Sequence, residues 1–123
     1  MAASLGVGER LLLVGSQPPE AVPDYFNAAD VGLLASYREG CPNAVLECLA
    51  CGRPVVATDV GAVPDLIHPA SNGRIVPAAD VDALAAALKH VLGRPWTPEA
   101  ICRSVKSWDR VAEDVERVLV AGC

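Results

Sequence analysis

Short apolar runs, each closed by a turn residue or a helix breaker, recur along the first three-quarters of the chain. They show no clean alternation of apolar and polar residues, and strands of this kind are covered on both faces, as in a parallel sheet between helices. The pattern therefore predicts an α/β fold with a partial Rossmann-like parallel sheet of about four strands: Leu11–Val14, Val31–Leu34, Val55–Thr58 and Arg74–Val76.

Helical patterns alternate with these strands and then close the chain. Asp80 is a suitable N-cap for a helix that Gly93 would stop. The last two segments read as consecutive helices, the final one amphipathic, and so predict a C-terminal helical pair. We predict covering helices over Ala21–Ala28, Pro42–Cys51, Val63–Ile67 and Val81–Leu92, and the closing pair over Pro98–Lys106 and Trp108–Val120.

Size and composition are those of one domain. The chain has 123 residues, of which 52% are hydrophobic but only 4% aromatic, a mixture that suits a buried parallel sheet. The net charge is −5, with Lys and Arg scattered, so there is no basic patch for nucleic acid. No apolar stretch approaches the ~18 residues of a membrane span. We expect a cytoplasmic chain that binds a small polar ligand or another protein.

The five cysteines are interpreted as small reduced core residues. Cys48 and Cys51 have the C-x-x-C spacing, but no second pair or histidine cluster completes four zinc ligands. We therefore expect neither a metal site nor a cofactor. The other three cysteines are Cys41, Cys102 and Cys123.

The polar loop after the second predicted strand is the most informative segment. In an open α/β sheet, ligands bind just outside the carboxyl ends of the strands. With Pro42 at the first helical position, the amides of Asn43, Ala44 and Val45 would be free to bind a phosphate at the positive end of the helix. Gly40 would let a ligand approach the backbone closely. The residues alone leave open whether this is a diphosphate cradle or an ordinary strand-to-helix turn.

Two carboxylates bracket this loop, eight positions apart. Glu47 lies among apolar residues of the predicted helix, where an unpaired charge is costly, so we expect it to have a partner. A carboxylate can accept both hydroxyls of a ribose diol, and Glu39 could accept hydroxyls of a sugar beyond the phosphates. The alternative that both are solvated acids stays open at this level.

An ordered set of motifs carries a family resemblance. The chain resembles the family 4 retaining glycosyltransferases, which have two Rossmann domains (the GT-B type) and a signature of Glu, seven residues, Glu. The resemblance runs from about Gly6 to about Val120 and rests on Ala28-Ala29-Asp30, Ser36-Tyr37-Arg38-Glu39-Gly40, Leu46–Gly52, Arg53–Thr58, Asn72-Gly73 and Ser107-Trp108.

The resemblance implies that residues 1–123 are a partial donor-binding domain, with the acceptor-binding domain and two donor-domain strands preceding residue 1. Glu39 would be the catalytic-site residue that contacts hydroxyls of the donor sugar, and Glu47 would bind the ribose. The turn containing Gly15 and Ser16 would contact the base. Contacts to the donor sugar and the phosphates would come from Gly40, Cys41, Pro42, Asn43, Ala44 and Val45.

The implied reaction moves a sugar from a UDP- or GDP-sugar, a substrate rather than a cofactor, to a hydroxyl acceptor on a glycan or lipid-linked molecule. The segment Gly40–Asn43 looks most like that of bacterial transferases of surface polysaccharides, which would place the whole protein in the cytoplasm or at the inner face of the membrane. Arg38 and Arg53 are candidate supporting cations, although a solvated or salt-bridged role suits each better. Two alternatives stay open: a sugar-nucleotide epimerase fragment, and a non-catalytic nucleotide-binding or interaction module.

A consequence for folding follows from the strand order 3-2-1-4-5-6. In that order two strands absent from this chain would lie between Leu11–Val14 and Val31–Leu34. We therefore expect bare hydrophobic strand edges or a substitute pairing, and with either one a tendency to aggregate.

Overall fold

The computed structural model of the protein describes residues 4–121. Its centre is a parallel sheet in which β2 lies between β1 and β3. Gly32 is opposite Val55 in the first pair of strands, and Val55 is opposite Gly73 in the second. The predicted α/β class and parallel sheet are confirmed, and three of the four predicted strands form: β1 (Gly32–Leu34), β2 (Val55–Thr58) and β3 (Gly73–Val76).

Six α-helices lie in the described part of the chain and follow the predicted segments. The Asp80 carboxylate accepts a hydrogen bond from the Ala83 amide at 2.8 Å, so the predicted N-cap is confirmed. The fifth helix ends earlier than predicted, because the Ser104 hydroxyl donates to the Ile101 carbonyl that a further turn would use. A 3₁₀ turn covers Gly8–Arg10, and the helices are α1 (Val22–Ala28), α2 (Asn43–Ala50), α3 (Val63–Leu66), α4 (Val81–Leu92), α5 (Pro98–Cys102) and α6 (Trp108–Ala121).

Helices cover both faces of the sheet, and all four residues of β2 are buried. On one face Val55 and Ala57 pack with residues of α2, α3 and α5. On the other face Val56 packs with Ala87 and Val91 of α4. This sandwich explains why the strands lack alternation. It also brings the carboxyl ends of β1 and β2 to the same edge, where the loop before α2 begins.

The predicted strand Leu11–Val14 does not form. Leu12 and Leu13 are 81% and 84% exposed. A strand is stabilised by the hydrogen bonds of a neighbouring strand, and the sheet formed by the described residues ends at β1. The run Leu11–Val14 thus forms neither of the two expected arrangements, a bare strand edge or a substitute pairing, although β1 does lie at an edge of the described sheet. The aggregation expected to follow stays a prediction.

The cysteines are not uniformly core residues. Cys48 is buried, but Cys41 and Cys102 are exposed and Cys51 is half-buried; Cys123 lies outside the described residues. Cys41 is in the loop before α2, outside the packed layers. Cys102 follows Ile101, which is fully buried, and successive helical residues point about 100° apart. The sequence interpretation is right for Cys48 and wrong for the two exposed thiols.

Candidate functional site

The loop between β1 and α2 carries most of the predicted site residues, and its backbone is attached to the neighbouring strand end. The hydroxyl of Thr58, at the end of β2, donates to the Ser36 carbonyl at 2.6 Å. The Ala62 amide, in the turn after β2, donates to the Gly40 carbonyl at 2.9 Å. Both halves of the loop are thus held by hydrogen bonds from residues that are distant from it in sequence.

Gly61 makes the close approach of this turn to the loop possible. It has a φ of +53°, and a Cβ there would overlap the backbone carbonyl oxygens of Glu39 and Gly40. Only glycine combines that backbone conformation with the absence of a side chain. The sequence interpretation missed this residue, although a glycine shortly after a buried strand, preceded by Asp59, is typical of a tight turn.

Glu39 is half-buried and already oriented by a protein contact. Its Oε1 accepts a hydrogen bond from the Ser36 hydroxyl at 2.5 Å. Across residues 4–121, no hydrogen bond or ion pair engages its second oxygen, Oε2. The carboxylate is therefore fixed on one side and available as an acceptor on the other.

The beginning of α2 differs from the prediction in one respect. Pro42 is the N-cap, with φ −76° and ψ 103°, rather than the first helical residue. Its carbonyl accepts from the Val45 amide at 3.1 Å and from the Leu46 amide at 3.5 Å, so Val45 is not a free donor. The amides of Asn43 and Ala44 have no acceptor in the part of the chain that the structure describes. Asn43 and Ala44 are therefore the two predicted donors that remain, because the Val45 amide bonds the carbonyl three residues before it and closes a tighter first turn.

Side-chain burial divides the predicted donor-contact residues into two groups. Pro42 and Val45 are buried and pack inward. The remaining four lie at the surface, where a ligand can reach their backbone: Gly40, Cys41, Asn43 and Ala44.

Glu47 lies on the exposed side of α2. Its neighbours Cys48 and Leu49 are buried, but they lie about 100° and 200° further around the helix, so Glu47 faces away from the core that they pack into. The carboxylate is exposed, so its apolar neighbours do not bury the charge as the sequence suggested, and no ion pair or hydrogen bond to it occurs among the described residues. The ribose partner expected for Glu47 stays a prediction. Asn43 and Ala44 lie one turn earlier on the same side. The carboxylate and the two free amides thus share one surface.

Residues 1–94 match the protein family described as Glycosyl transferases group 1. The chain belongs to this family. Among curated relatives of this glycosyltransferase chain, the D-inositol 3-phosphate glycosyltransferase of Nocardia farcinica is 34% identical over 93 residues, which is 76% of this chain and 21% of that protein. The chain therefore spans about a fifth of the length of that relative.

Solved glycosyltransferase structures share the fold. Sucrose-phosphate synthase from Thermosynechococcus elongatus superposes on 99% of this chain and 33% of its own, with a TM-score of 0.79 and 27% identity. The lipopolysaccharide outer core galactosyltransferase WaaB, in its apo form, covers 85% of this chain and 30% of its own, with a TM-score of 0.75 and 25% identity. The predicted GT-B, Rossmann-like fold is confirmed.

The turn predicted to read the base is attached to α1 in this group 1 glycosyltransferase chain. Gln17, next to Gly15 and Ser16, donates to the Val14 carbonyl at 2.5 Å and accepts from the Tyr25 hydroxyl at 3.1 Å. Within residues 4–121, no hydrogen bond joins Gly15 or Ser16 to the loop before α2. The structure brings the two carboxylates and the loop together without linking this turn to them.

The two candidate cations are in different places. Arg53 follows α2, at the end of that helix remote from the loop, and its guanidinium donates to the Asn27 carbonyl in the last turn of α1 at 2.7 Å. Arg38 is exposed on the loop itself. Only Arg38 therefore lies in the same segment as the free amides.

Residues 4–121 contain no group of three or more His, Cys, Asp and Glu side chains placed to hold a metal ion. No helix in this range is long and apolar enough to cross a membrane.

Proposed function

We propose that this chain is the donor-binding part of a family 4 retaining glycosyltransferase, which moves a sugar from a UDP- or GDP-sugar to a hydroxyl acceptor. One observation carries the proposal: a single strand-to-helix junction presents the open side of Glu39, the free amides of Asn43 and Ala44, and the solvated Glu47. These groups match the successive sugar, diphosphate and ribose parts of one ligand.

The diphosphate is assigned to the beginning of α2. Free amides and the helix dipole favour an anion there, and the exposed Arg38 adds a positive charge in the same loop. We assign contacts with the donor sugar to Gly40 and Cys41, which are exposed and lie between Glu39 and the two free amides along the chain. Pro42 and Val45, being buried, shape the cradle rather than donate to the ligand.

The sugar and the ribose are assigned to the two carboxylates. Oxygens of Glu47 accept both ribose hydroxyls, and the open oxygen of Glu39 accepts a hydroxyl of the donor sugar. The base is assigned to main-chain groups of Gly15 and Ser16. The protein's contribution to the reaction is then electrostatic and geometric: the amides stabilise the departing diphosphate, and Glu39 orients the sugar.

We also propose a biological setting for the whole protein. The likeness to a lipopolysaccharide outer core galactosyltransferase and the segment Gly40–Asn43 support a role in bacterial surface polysaccharide synthesis. The hydroxyl acceptor, and any association with the inner membrane face, are assigned to the parts of the relatives that this chain does not span. Family membership favours a transferase over a sugar-nucleotide epimerase.

Titration calorimetry with UDP and with GDP tests the proposal. We expect one of the two to bind, and Glu47→Ala to weaken that binding about a hundredfold, roughly tenfold for each of the two hydrogen bonds to a charged acceptor that are lost. Glu113→Ala is the matched control, since Glu113 is an exposed helical glutamate on α6. Binding of neither nucleotide favours the interaction-module alternative, which the exposed run Leu11–Val14 also supports. Undiminished binding by Glu47→Ala rejects the ribose assignment.

A further inference from the structure

Ser36 is the link between the Glu39 carboxylate and the central strand. Its hydroxyl donates to Oε1 of Glu39 at 2.5 Å, and its carbonyl accepts from the Thr58 hydroxyl at 2.6 Å. Thr58 is the last residue of β2 and is only 4% exposed. Two hydroxyl groups therefore join a loop carboxylate to the buried end of the middle strand.

This link has a directional consequence for ligand recognition. A hydrogen bond to an ionised carboxylate is stronger than one between neutral groups, so it restricts the rotamers of Glu39 before any ligand arrives. Because Oε1 already accepts one hydrogen bond, Oε2 is the more available oxygen for a ligand hydroxyl. An acceptor oriented in advance lowers the entropy lost on binding.

Other contacts to the loop act on its backbone and not on this carboxylate. Gly61 packs against the Glu39 and Gly40 carbonyl oxygens, and the Ala62 amide bonds the Gly40 carbonyl. Among residues 4–121, Ser36 supplies the hydrogen bond that reaches the Glu39 side chain. Removal of the Ser36 hydroxyl should therefore free the Glu39 carboxylate to reorient, while the backbone contacts still hold the loop in place.

We propose that Ser36, supported by Thr58, is the positioning residue through which Glu39 recognises the sugar part of the donor. Ser36 acts through Glu39 and is assigned no contact with the reacting atoms. This inference rests on the proposed function. It adds that the preference of the site for a nucleotide sugar over the free nucleotide depends on the Ser36 hydroxyl.

The experiment compares nucleotide sugar with free nucleotide by titration calorimetry on the 123-residue chain, using UDP-glucose against UDP and GDP-mannose against GDP. We expect Ser36→Ala to weaken binding of the nucleotide sugar between about twofold and tenfold, because binding must then order the freed Glu39 side chain. Binding of the free nucleotide should stay unchanged, because its ribose and phosphates contact other groups. Ser36→Thr, which keeps the hydroxyl, should restore the wild-type affinity for the nucleotide sugar.

Thr58 gives an independent variant if Ser36→Ala fails to fold. Thr58→Val leaves the Ser36 hydroxyl in place but removes the donor that holds the Ser36 carbonyl. We expect the preference for nucleotide sugar to fall in Thr58→Val and to return in Thr58→Ser. Ser71→Ala is the control, because the Ser71 hydroxyl also bonds a backbone carbonyl, that of His68, in the turn before β3.

The outcomes distinguish a failure of the Ser36 positioning role from a failure of the donor site. If free nucleotide binds but Ser36→Ala keeps the wild-type preference for nucleotide sugar, the positioning role is overturned and the donor site stands. Equal losses for nucleotide and nucleotide sugar would show that Ser36 only supports the fold, and would also overturn it. If the wild-type chain binds none of the four ligands, the donor-site proposal fails first, and the role of Ser36 fails with it.

Discussion

Gly61 lies in backbone contact with Glu39: a Cβ on residue 61 would overlap the Glu39 carbonyl oxygen. The turn after β2 therefore supports the loop that carries the proposed sugar-binding carboxylate. Since the two segments are far apart in the chain, the geometry of this loop depends on the packing of β1 beside β2.

Replacing Gly61 by alanine tests this support. Gly61→Ala should lower the free energy of unfolding by about 2–4 kcal/mol, because it combines backbone strain at positive φ with overlap against two carbonyl oxygens. Gly15→Ala is the matched control, since Gly15 has a φ of +66° but nothing within 4 Å of the added Cβ. It should cost only the strain, about 1 kcal/mol. Equal losses in urea unfolding would show that the contact with Glu39 contributes nothing.

Substitution of Gly40, in contrast to Gly61, should affect ligand binding and not stability. Its Cβ position is open space and its φ is not positive, so Gly40→Ala should change the free energy of unfolding by less than about 0.5 kcal/mol. A methyl group there would nevertheless stand between the loop backbone and a close ligand. We expect weaker binding of UDP-glucose or GDP-mannose by calorimetry at unchanged stability. A variant that binds as the wild type does would place the ligand away from the Gly40 backbone.

The contact between Gly32 and Cys48 predicts a coupled pair of substitutions. A Cβ on Gly32 would lie 2.5 Å from the Cys48 sulfur, which is buried against β1. Gly32→Ala should therefore cost about 1–3 kcal/mol by overpacking, and Cys48→Ala about 1–2 kcal/mol by leaving a small cavity. In the double variant the new methyl group fills the vacated space, so the combined loss should be about 1 kcal/mol smaller than the sum.

Urea unfolding of the wild type, Gly32→Ala, Cys48→Ala and the double variant, which together form a double-mutant cycle, measures the coupling energy between the two positions. Cys41→Ala supplies the control, because the Cys41 thiol is exposed in the loop before α2. Its combination with Gly32→Ala should be additive. Additivity in the Cys48 cycle as well would contradict the predicted contact.

Cys48 also predicts a stability change at alkaline pH. Burial, with a smaller contribution from the neighbouring Cys51, raises the pKa of the Cys48 thiol from its ordinary 9.0 to about 11. The folded chain therefore holds this proton more tightly than the unfolded chain does. The resulting stabilisation is complete below pH 9.0 and is lost as the pH rises towards about 11, amounting to about 2–3 kcal/mol.

Unfolding free energies measured from about pH 8 to about pH 11 test this dependence. The wild-type protein should lose stability more steeply over that range than Cys48→Ala, which has no thiol at this position. Cys41→Ala should follow the wild-type slope. Parallel curves for the wild type and Cys48→Ala would mean that the buried thiol does not contribute.

Local signals in the sequence were sufficient for most of the fold. The run Val55–Thr58 is apolar throughout and preceded by proline, and it is the buried central strand. The bounds Val81–Leu92 were predicted correctly, because Asp80 caps that helix and Gly93 ends it. The strand predicted at Leu11–Val14 was wrong, since an apolar run forms a strand only beside a neighbouring strand, and this run pairs with none in the described sheet.

The sequence by itself determined that the loop between β1 and α2 is the candidate site, because glycine, proline and two spaced glutamates lie together at a strand end. Tertiary structure decided the rest. It placed Pro42 at the N-cap, which removed the Val45 amide from the free donors, and it turned Glu47 towards solvent. It also brought residues of the turn after β2 against the loop. These outcomes depend on helix phase and on long-range packing, which the local pattern of residues does not encode.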